Sequence, residues 1–197
     1  DRASFHAANI REFAAFVEGT EYICGHNILH HDLKYLQNAL GYELPAIKID
    51  TLYLSPLLFP KRPYHALLKD DKLQSDQLND PVNDCKKAAT LFYDEVNAFF
   101  ELPSKVKQIF CCLLYDHPEF HGFFRYVNFR PYHVNVPELI RAEYEGQICS
   151  NAELLPLIRH YPVELAYALA LVGAKDEHSI TPPWPVSYTH LTLPTNS

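Results

Sequence analysis

The segment from residue 22 to residue 36 constrains the fold of this chain more than any other. A short apolar run, residues 22–24, ends at Gly25-His26-Asn27, and a helical pattern follows. Three leucines share one stripe of that helix: Leu29, Leu33 and Leu36. Asp32 lies near the helix start. A carboxylate one turn into a helix that follows a strand lies at the strand's carboxyl edge, where α/β sheets place their sites. The segment therefore predicts an α/β fold with Asp32 at such an edge.

Two later segments show a related arrangement. Residues 49–54 read Ile-Asp-Thr-Leu-Tyr-Leu and predict a strand that runs into a short helix, residues 51–58, with Asp50 as its cap. Asp84 lies on the first turn of a longer predicted helix, residues 82–100. The apolar positions of that helix recur at helical spacing: Ala88, Leu91, Phe92, Val96 and Phe99.

These segments resemble the motifs of DnaQ-like (DEDD) 3′–5′ exonucleases. Residues 26–36 resemble the second motif, His-Asn-x-x-x-Asp-x-x-x-Leu with slight variation in spacing, and residues 49–54 resemble the Asp-Thr-Leu segment that follows. Asp84 matches the place of the last catalytic aspartate. The resemblance implies a ribonuclease-H-like α/β domain in which Asp32 and Asp84 hold two Mg²⁺ or Mn²⁺ ions about 3.5–4 Å apart. For each aspartate, the alternative is a solvated residue at a helix start, favourable by less than about 1 kcal/mol.

The family's first motif, Asp-x-Glu, does not occur in this sequence. Residues 1–6 read as the end of a hairpin, so we expect the opening strands and that pair to lie upstream and the chain to be an inactive internal fragment. At the other end, residues 186–197 resemble a translated sequencing adapter, and they are left out of the functional reasoning.

The general base of the resembled family has no direct counterpart. The family places a His five residues before the last Asp, or a Tyr four before it, where this chain has Asn79 and Asp80. An amide can orient a water molecule but cannot take its proton, so Asn79 is expected to orient the nucleophile. His65 is a candidate substitute base. Its alternative is a loop histidine that packs against a helix.

Residues 123–132 interleave aromatic and basic side chains. One interpretation is a surface that stacks bases of single-stranded DNA, at about 1–3 kcal/mol per base, while Arg125 and Arg130 meet phosphates. The better interpretation is that the aromatic rings pack the helical region onto the core. On the resemblance His26 and Asn27 also belong to the substrate-binding side, although Asn27 is more simply explained by a turn.

A zinc site is one interpretation of the cysteine and histidine residues between positions 111 and 121. Its candidate ligands are Cys111, Cys112, His117 and His121. Adjacent cysteines on a helix do not suit Zn²⁺, so core thiols followed by a loop are the better interpretation.

The chain divides into residues 1–102, the partial exonuclease-like domain, and residues 103–185, a mainly α-helical connector. Residues 150–185 resemble the connector of certain bacterial RecQ-family ATP-dependent DNA helicases that carry an N-terminal exonuclease-like domain. The resemblance implies a downstream helicase motor as a partner. ATP would bind only to that motor, because no Walker A sequence occurs in this chain.

Composition limits the partners and the compartment. Five scattered cysteines without Cys-x-x-Cys spacing predict reduced thiols and a cytoplasmic location. No apolar run approaches the length of a membrane span, so no membrane partner is expected. A net charge of −7 argues against a domain that grips long duplex DNA, but it is compatible with an enzyme that holds only a 3′ end.

The sequence therefore predicts the exonuclease region of a RecQ-like DNA helicase that acts on single-stranded or 3′-ended DNA. Two alternatives stay open. One is a catalytically inactive nuclease-fold module that docks on the helicase or guides a strand, which the substitution by Asn79 motivates. The other is a free-standing exonuclease without a motor.

Overall fold

The computed structural model describes residue 5, residues 9–62, residue 65 and residues 81–174. These residues form a small parallel sheet and nine helices. In chain order the elements are α1 (Ile10–Phe16), β1 (Tyr22–Gly25), α2 (Asp32–Leu40), β2 (Ile47–Asp50), α3 (Thr51–Leu58), α4 (Pro81–Glu101), α5 (Ser104–Leu114), α6 (Pro118–Tyr126), α7 (Val136–Glu143), α8 (Leu154–His160) and α9 (Pro162–Gly173). The predicted mixed α/β class, with helix predominating, is confirmed.

The two strands run parallel and end at the same edge. Tyr22 lies opposite Ile47, and Gly25 lies opposite Asp50. Because side chains alternate between the faces of a sheet, Tyr22 and Lys48 point to opposite sides. The Tyr22 ring contacts that of Tyr126 on α6, with centroids 5.4 Å apart, whereas Lys48 lines a groove with the leucines of α2. Helices therefore cover both faces of the sheet.

Helix α6 lies in direct backbone contact with β2. A Cβ atom at Gly122 would overlap the carbonyl oxygen of Lys48 and would lie 3.2 Å from Cγ2 of Ile47. The helix can approach this closely only because residue 122 has no side chain. The loop predicted around His117 and His121 is wrong. Pro118 instead begins a helix, because its fixed φ suits the first helical position.

A single hydrophobic core joins the two segments into which the sequence was divided. It includes Ile49 and Leu54 from residues 1–102 and Phe123 and Leu165 from the helices that follow. The Tyr167 hydroxyl on α9 also donates a hydrogen bond to a backbone oxygen of α3, at 2.9 Å. Helices α5, α6 and α9 therefore complete the core of the strand-containing part.

Helix α2 begins later than the leucine stripe predicted. Leu29 belongs to that stripe, but the helix begins at Asp32, because residues 27–31 form a turn. Helix α8 begins at Leu154, with Glu153 at the cap position. Its start has a local cause. The Arg141 guanidinium donates to the carbonyl oxygens of residues 150 and 152, at 2.8 and 2.6 Å, and holds that stretch outside the helix.

The leucine stripe of α2 is only half-buried. Leu29, Leu33 and Leu36 line an open groove of about 200 Å³ together with Leu44, and no residue of α2 is fully buried. The groove also carries Lys34 and the Lys48–Glu43 ion pair, whose nitrogen and oxygen lie 2.6 Å apart. This helix therefore packs less tightly than α3, where five residues are buried.

Candidate functional site

The edge at which both strands end is organised by the carboxylate of Asp50. This side chain is fully buried at the end of β2. Its Oδ1 accepts hydrogen bonds from the backbone nitrogens of Asn27 and Leu52, at 2.7 and 3.0 Å, and its Oδ2 accepts one from Leu29 at 3.1 Å. The predicted cap of α3 is confirmed. The same carboxylate also accepts hydrogen bonds from the backbone of the turn after β1. The local sequence did not indicate this second contact.

The turn after β1 positions His26 and Asn27. Asn27 has a φ of 60°, a left-handed conformation that asparagine tolerates better than most residues. Nδ1 of His26 lies 2.9 Å from Oγ1 of Thr51 at the start of α3. Burial lowers the pKa of His26, and the nearby Asp50 opposes this. Because its pKa lies below the usual value, His26 is a neutral ring at pH 7 that joins the turn to α3.

The two proposed metal ligands lie on first helical turns. Asp32 is the first residue of α2, and 55% of its side chain is exposed, with Oδ1 3.5 Å from Nδ1 of His31. Asp84 is exposed on the first turn of α4. In the described part of the chain, no group of three or more His, Cys, Asp or Glu residues is placed to hold a metal ion. Asn79 and Asp80 lie outside the described residues.

The candidate base His65 contacts α3. Its Nδ1 lies 2.9 Å from Oγ of Ser55, a buried residue of that helix. Burial lowers the pKa of His65, and the positive charge of Arg62 lowers it further. The ring is therefore neutral at pH 7 and able to take a proton, but one of its two nitrogens is engaged by Ser55.

The aromatic and basic stretch divides into buried rings and exposed arginines. Phe123 and Phe124 are fully buried, and the Phe129 ring lies 5.5 Å from that of Phe99. These three rings pack in the core, so the preferred interpretation, in which they join the helical region to the core, is confirmed for them. Arg125, on the last turn of α6, and Arg130, which follows the helix, are exposed.

The cysteine and histidine side chains weighed as a zinc site have separate protein contacts. Cys111 is buried, and its Sγ lies 3.8 Å from the carbonyl oxygen of Phe129. His121 places Nδ1 2.9 Å from the carbonyl oxygen of Tyr115. The interpretation of Cys111 as a core thiol is confirmed, although the expected loop is a helix.

Glu95 is a buried residue that no sequence motif indicated. This residue is fully buried on α4, on the stripe formed by the buried residues Ala88, Phe92 and Phe99. Neither carboxylate oxygen has a hydrogen-bond partner among the described residues. Burial raises its pKa to about 9. The helical spacing of the apolar residues of α4 places position 95 on this stripe, but a charged residue was not expected there.

Comparisons with known proteins do not assign a function to this chain. No protein-family model, no curated protein and no solved structure matched this chain. Among the helices of the described residues, none combines the length and the apolar character needed to cross a bilayer.

Proposed function

We propose that this chain is part of a metal-dependent 3′–5′ exonuclease with a ribonuclease-H-like domain, within a RecQ-like DNA helicase. One observation carries the proposal. The Asp50 carboxylate binds the His26-Asn27 turn to the start of α3, at the common edge of two parallel strands. Asp32 follows that turn at the beginning of a helix, as expected for a carboxylate at the carboxyl edge of an α/β sheet.

The donor chemistry of the proposed site suits hard divalent cations. Asp32 and Asp84 are exposed carboxylates, and oxygen ligands are those that Mg²⁺ and Mn²⁺ prefer. When bound, such ions activate water and stabilise the leaving oxygen of a phosphodiester. The family's remaining ligands, the Asp-x-Glu pair, are absent from this sequence, so the 197-residue chain alone is expected to be inactive.

The other residues have supporting roles in this proposal. Asn79 orients the nucleophile, and His65 is the candidate that takes its proton. His26 and Asn27 shape the strand end beneath the substrate, and the exposed Arg125 and Arg130 bind phosphates of a single strand. ATP is assigned only to the helicase motor.

A nuclease assay tests the proposal. The protein encoded by the complete reading frame is incubated with single-stranded DNA labelled at its 5′ end, with Mg²⁺ or Mn²⁺. We expect a ladder that shortens from the 3′ end and disappears with a chelator. Asp32→Asn and Asp84→Asn each lower the rate at least about 10²-fold, because a lost ligand weakens the metal that activates water. Asp94→Asn, at an exposed position on α4, is the matched control and keeps the rate. Digestion that both ligand variants retain contradicts the proposal.

A second candidate is an inactive nuclease-fold module that guides a strand. It is favoured by the separate contacts of the candidate ligands, since Asp32 lies beside His31 and no three-ligand group occurs in the described residues. Fluorescence anisotropy with labelled single-stranded DNA distinguishes it from the nuclease. Binding that Arg125→Glu weakens, without cleavage by the complete protein, supports this candidate. Cleavage without DNA-stimulated ATP hydrolysis supports instead the free-standing exonuclease.

A further inference from the structure

Glu95 occupies a core position in which no described residue forms a hydrogen bond with its carboxyl. It is 0% exposed, and helix α4 packs there against α3 and β1. Within the described residues, neither carboxyl oxygen is hydrogen-bonded. An ionised carboxylate in such a place is unfavourable, because it has lost its water and gained no donor.

Four charged or titratable residues of the described chain act on Glu95 or are affected by it. Cys24 lies on β1, Asp50 ends β2, Arg62 follows α3, and Asp94 is the neighbour on α4. Arg62 favours the ionised form of Glu95, but Asp50 and Asp94 oppose it. Arg62 is exposed, so solvent screens its charge, and its guanidinium lies 3.7 Å from the centre of the Phe59 ring.

These surroundings decide the state of the carboxyl. Burial is the largest cause of its raised pKa, which lies at about 9, against about 4.5 for a solvated glutamate. At neutral pH the folded chain therefore holds a proton on Glu95 that the unfolded chain releases.

We propose that Glu95 makes the contact between α4 and the edge strand β1 sensitive to pH. The contact is closed while the carboxyl carries a proton, and it opens as the carboxyl ionises. The opened form releases one proton to solvent and exposes the carboxylate to water. Among the described residues β1 is hydrogen-bonded on one side only, to β2, so it is the less constrained partner of α4. This inference does not depend on the proposed nuclease activity.

Hydrogen–deuterium exchange of the 197-residue chain tests the inference. Exchange is followed by mass spectrometry from about pH 6 to about pH 9 and corrected for base catalysis. Peptides that cover β1 and α4 are expected to open roughly tenfold more per pH unit, as for the release of one proton. Peptides from α5 and α9 are expected to open much less. In Glu95→Gln the pH dependence disappears. In Glu101→Gln, at an exposed position on the same helix, it persists.

A second measurement uses the unaltered chain, so the test does not depend on the folding of a variant. Difference infrared spectroscopy follows the stretching band of a protonated carboxyl during an alkaline titration. We expect this band to disappear in the same pH range in which exchange increases. Absence of a protonated carboxyl at pH 7, or a pH dependence of exchange that Glu95→Gln retains, overturns the inference.

Discussion

The Asp50 carboxylate accepts a hydrogen bond of 2.7 Å from the backbone nitrogen of Asn27, 23 residues earlier in the chain. With the bonds from Leu29 and Leu52, it holds together the ends of both strands and the start of α3. Asp50 is therefore a positioning residue. It accepts three N–H donors and is fully buried, so the proposed metal site uses Asp32 and Asp84, which are exposed, and not Asp50.

Asp50→Ala is expected to destabilise the chain strongly. Three backbone N–H groups lose their acceptor in a buried place, and each unsatisfied donor costs about 1–3 kcal/mol. Partial access of water reduces the sum, so we expect a loss of about 3–5 kcal/mol in the free energy of unfolding, measured with urea. Asp50→Asn costs less, because its amide oxygen can keep the two bonds now made by Oδ1. Asp94→Ala, at an exposed position, is the control, and an equal loss there speaks against the role of Asp50.

Short sequence patterns were sufficient to predict most of the helices and strands in the strand-containing part. The apolar run that ends at Gly25 predicted β1, the Asp-Thr pair predicted the end of β2 and the capped α3, and the spacing of Phe92 and Phe99 predicted α4. Each of these signals lies within a few residues of the element that it predicts. The bond from Asn27 to Asp50 has no such signal, because it depends on the pairing of two strands.

The features that were not predicted from the sequence also have physical causes. A loop was predicted around His117 and His121, although Phe120, Phe123 and Phe124 recur at helical spacing and are buried. Gly122 was not recognised as a contact residue, since its role exists only when β2 lies against it. Glu95 was not singled out, because buried carboxyls are rare.

Gly122→Ala tests the contact between α6 and β2. Alanine favours a helix by about 1 kcal/mol over glycine, so an unconstrained position would become more stable. Here the added methyl group meets the carbonyl oxygen of Lys48, which is backbone and cannot rotate away. We expect a net loss of about 2 kcal/mol or more, since overpacking of this kind costs about 1–3 kcal/mol and a backbone neighbour lies at the upper end. Arg125→Ala, on the exposed side of the same helix, changes stability little. Increased stability of Gly122→Ala contradicts the close contact.

Glu95→Gln is expected to change how stability depends on pH. The pKa of this carboxyl is about 9 in the folded chain and about 4.5 when solvated, so the folded state binds the extra proton between these values. Stability therefore falls as pH rises across that range, at up to about 1.4 kcal/mol per pH unit from this group alone. Glu95→Gln removes the fall and is more stable than the unaltered chain at pH 7, by about 2–3 kcal/mol.

Urea unfolding at about pH 5 and about pH 7 measures this effect, with Glu101→Gln as the control. The two stability curves of the unaltered chain and Glu95→Gln are expected to separate as pH rises. Curves that stay parallel show that Glu95 is ionised in the folded chain.

Cys24 is expected to react slowly although the residue is exposed. Burial of its thiol raises the pKa to about 12, and the carboxyls of Glu95 and Asp50 add to the shift. The thiolate is the reactive form, so alkylation near pH 8 proceeds at least about 10²-fold more slowly at Cys24 than at the exposed Cys149. Quantitative mass spectrometry of iodoacetamide-labelled peptides measures both rates in one sample. Cys111 is 0% exposed and serves as the unlabelled reference until the chain unfolds. Equal rates at Cys24 and Cys149 show that the thiol at the strand edge is solvated, and they contradict the packing of α4 against β1 on which the pH dependence of Glu95 rests.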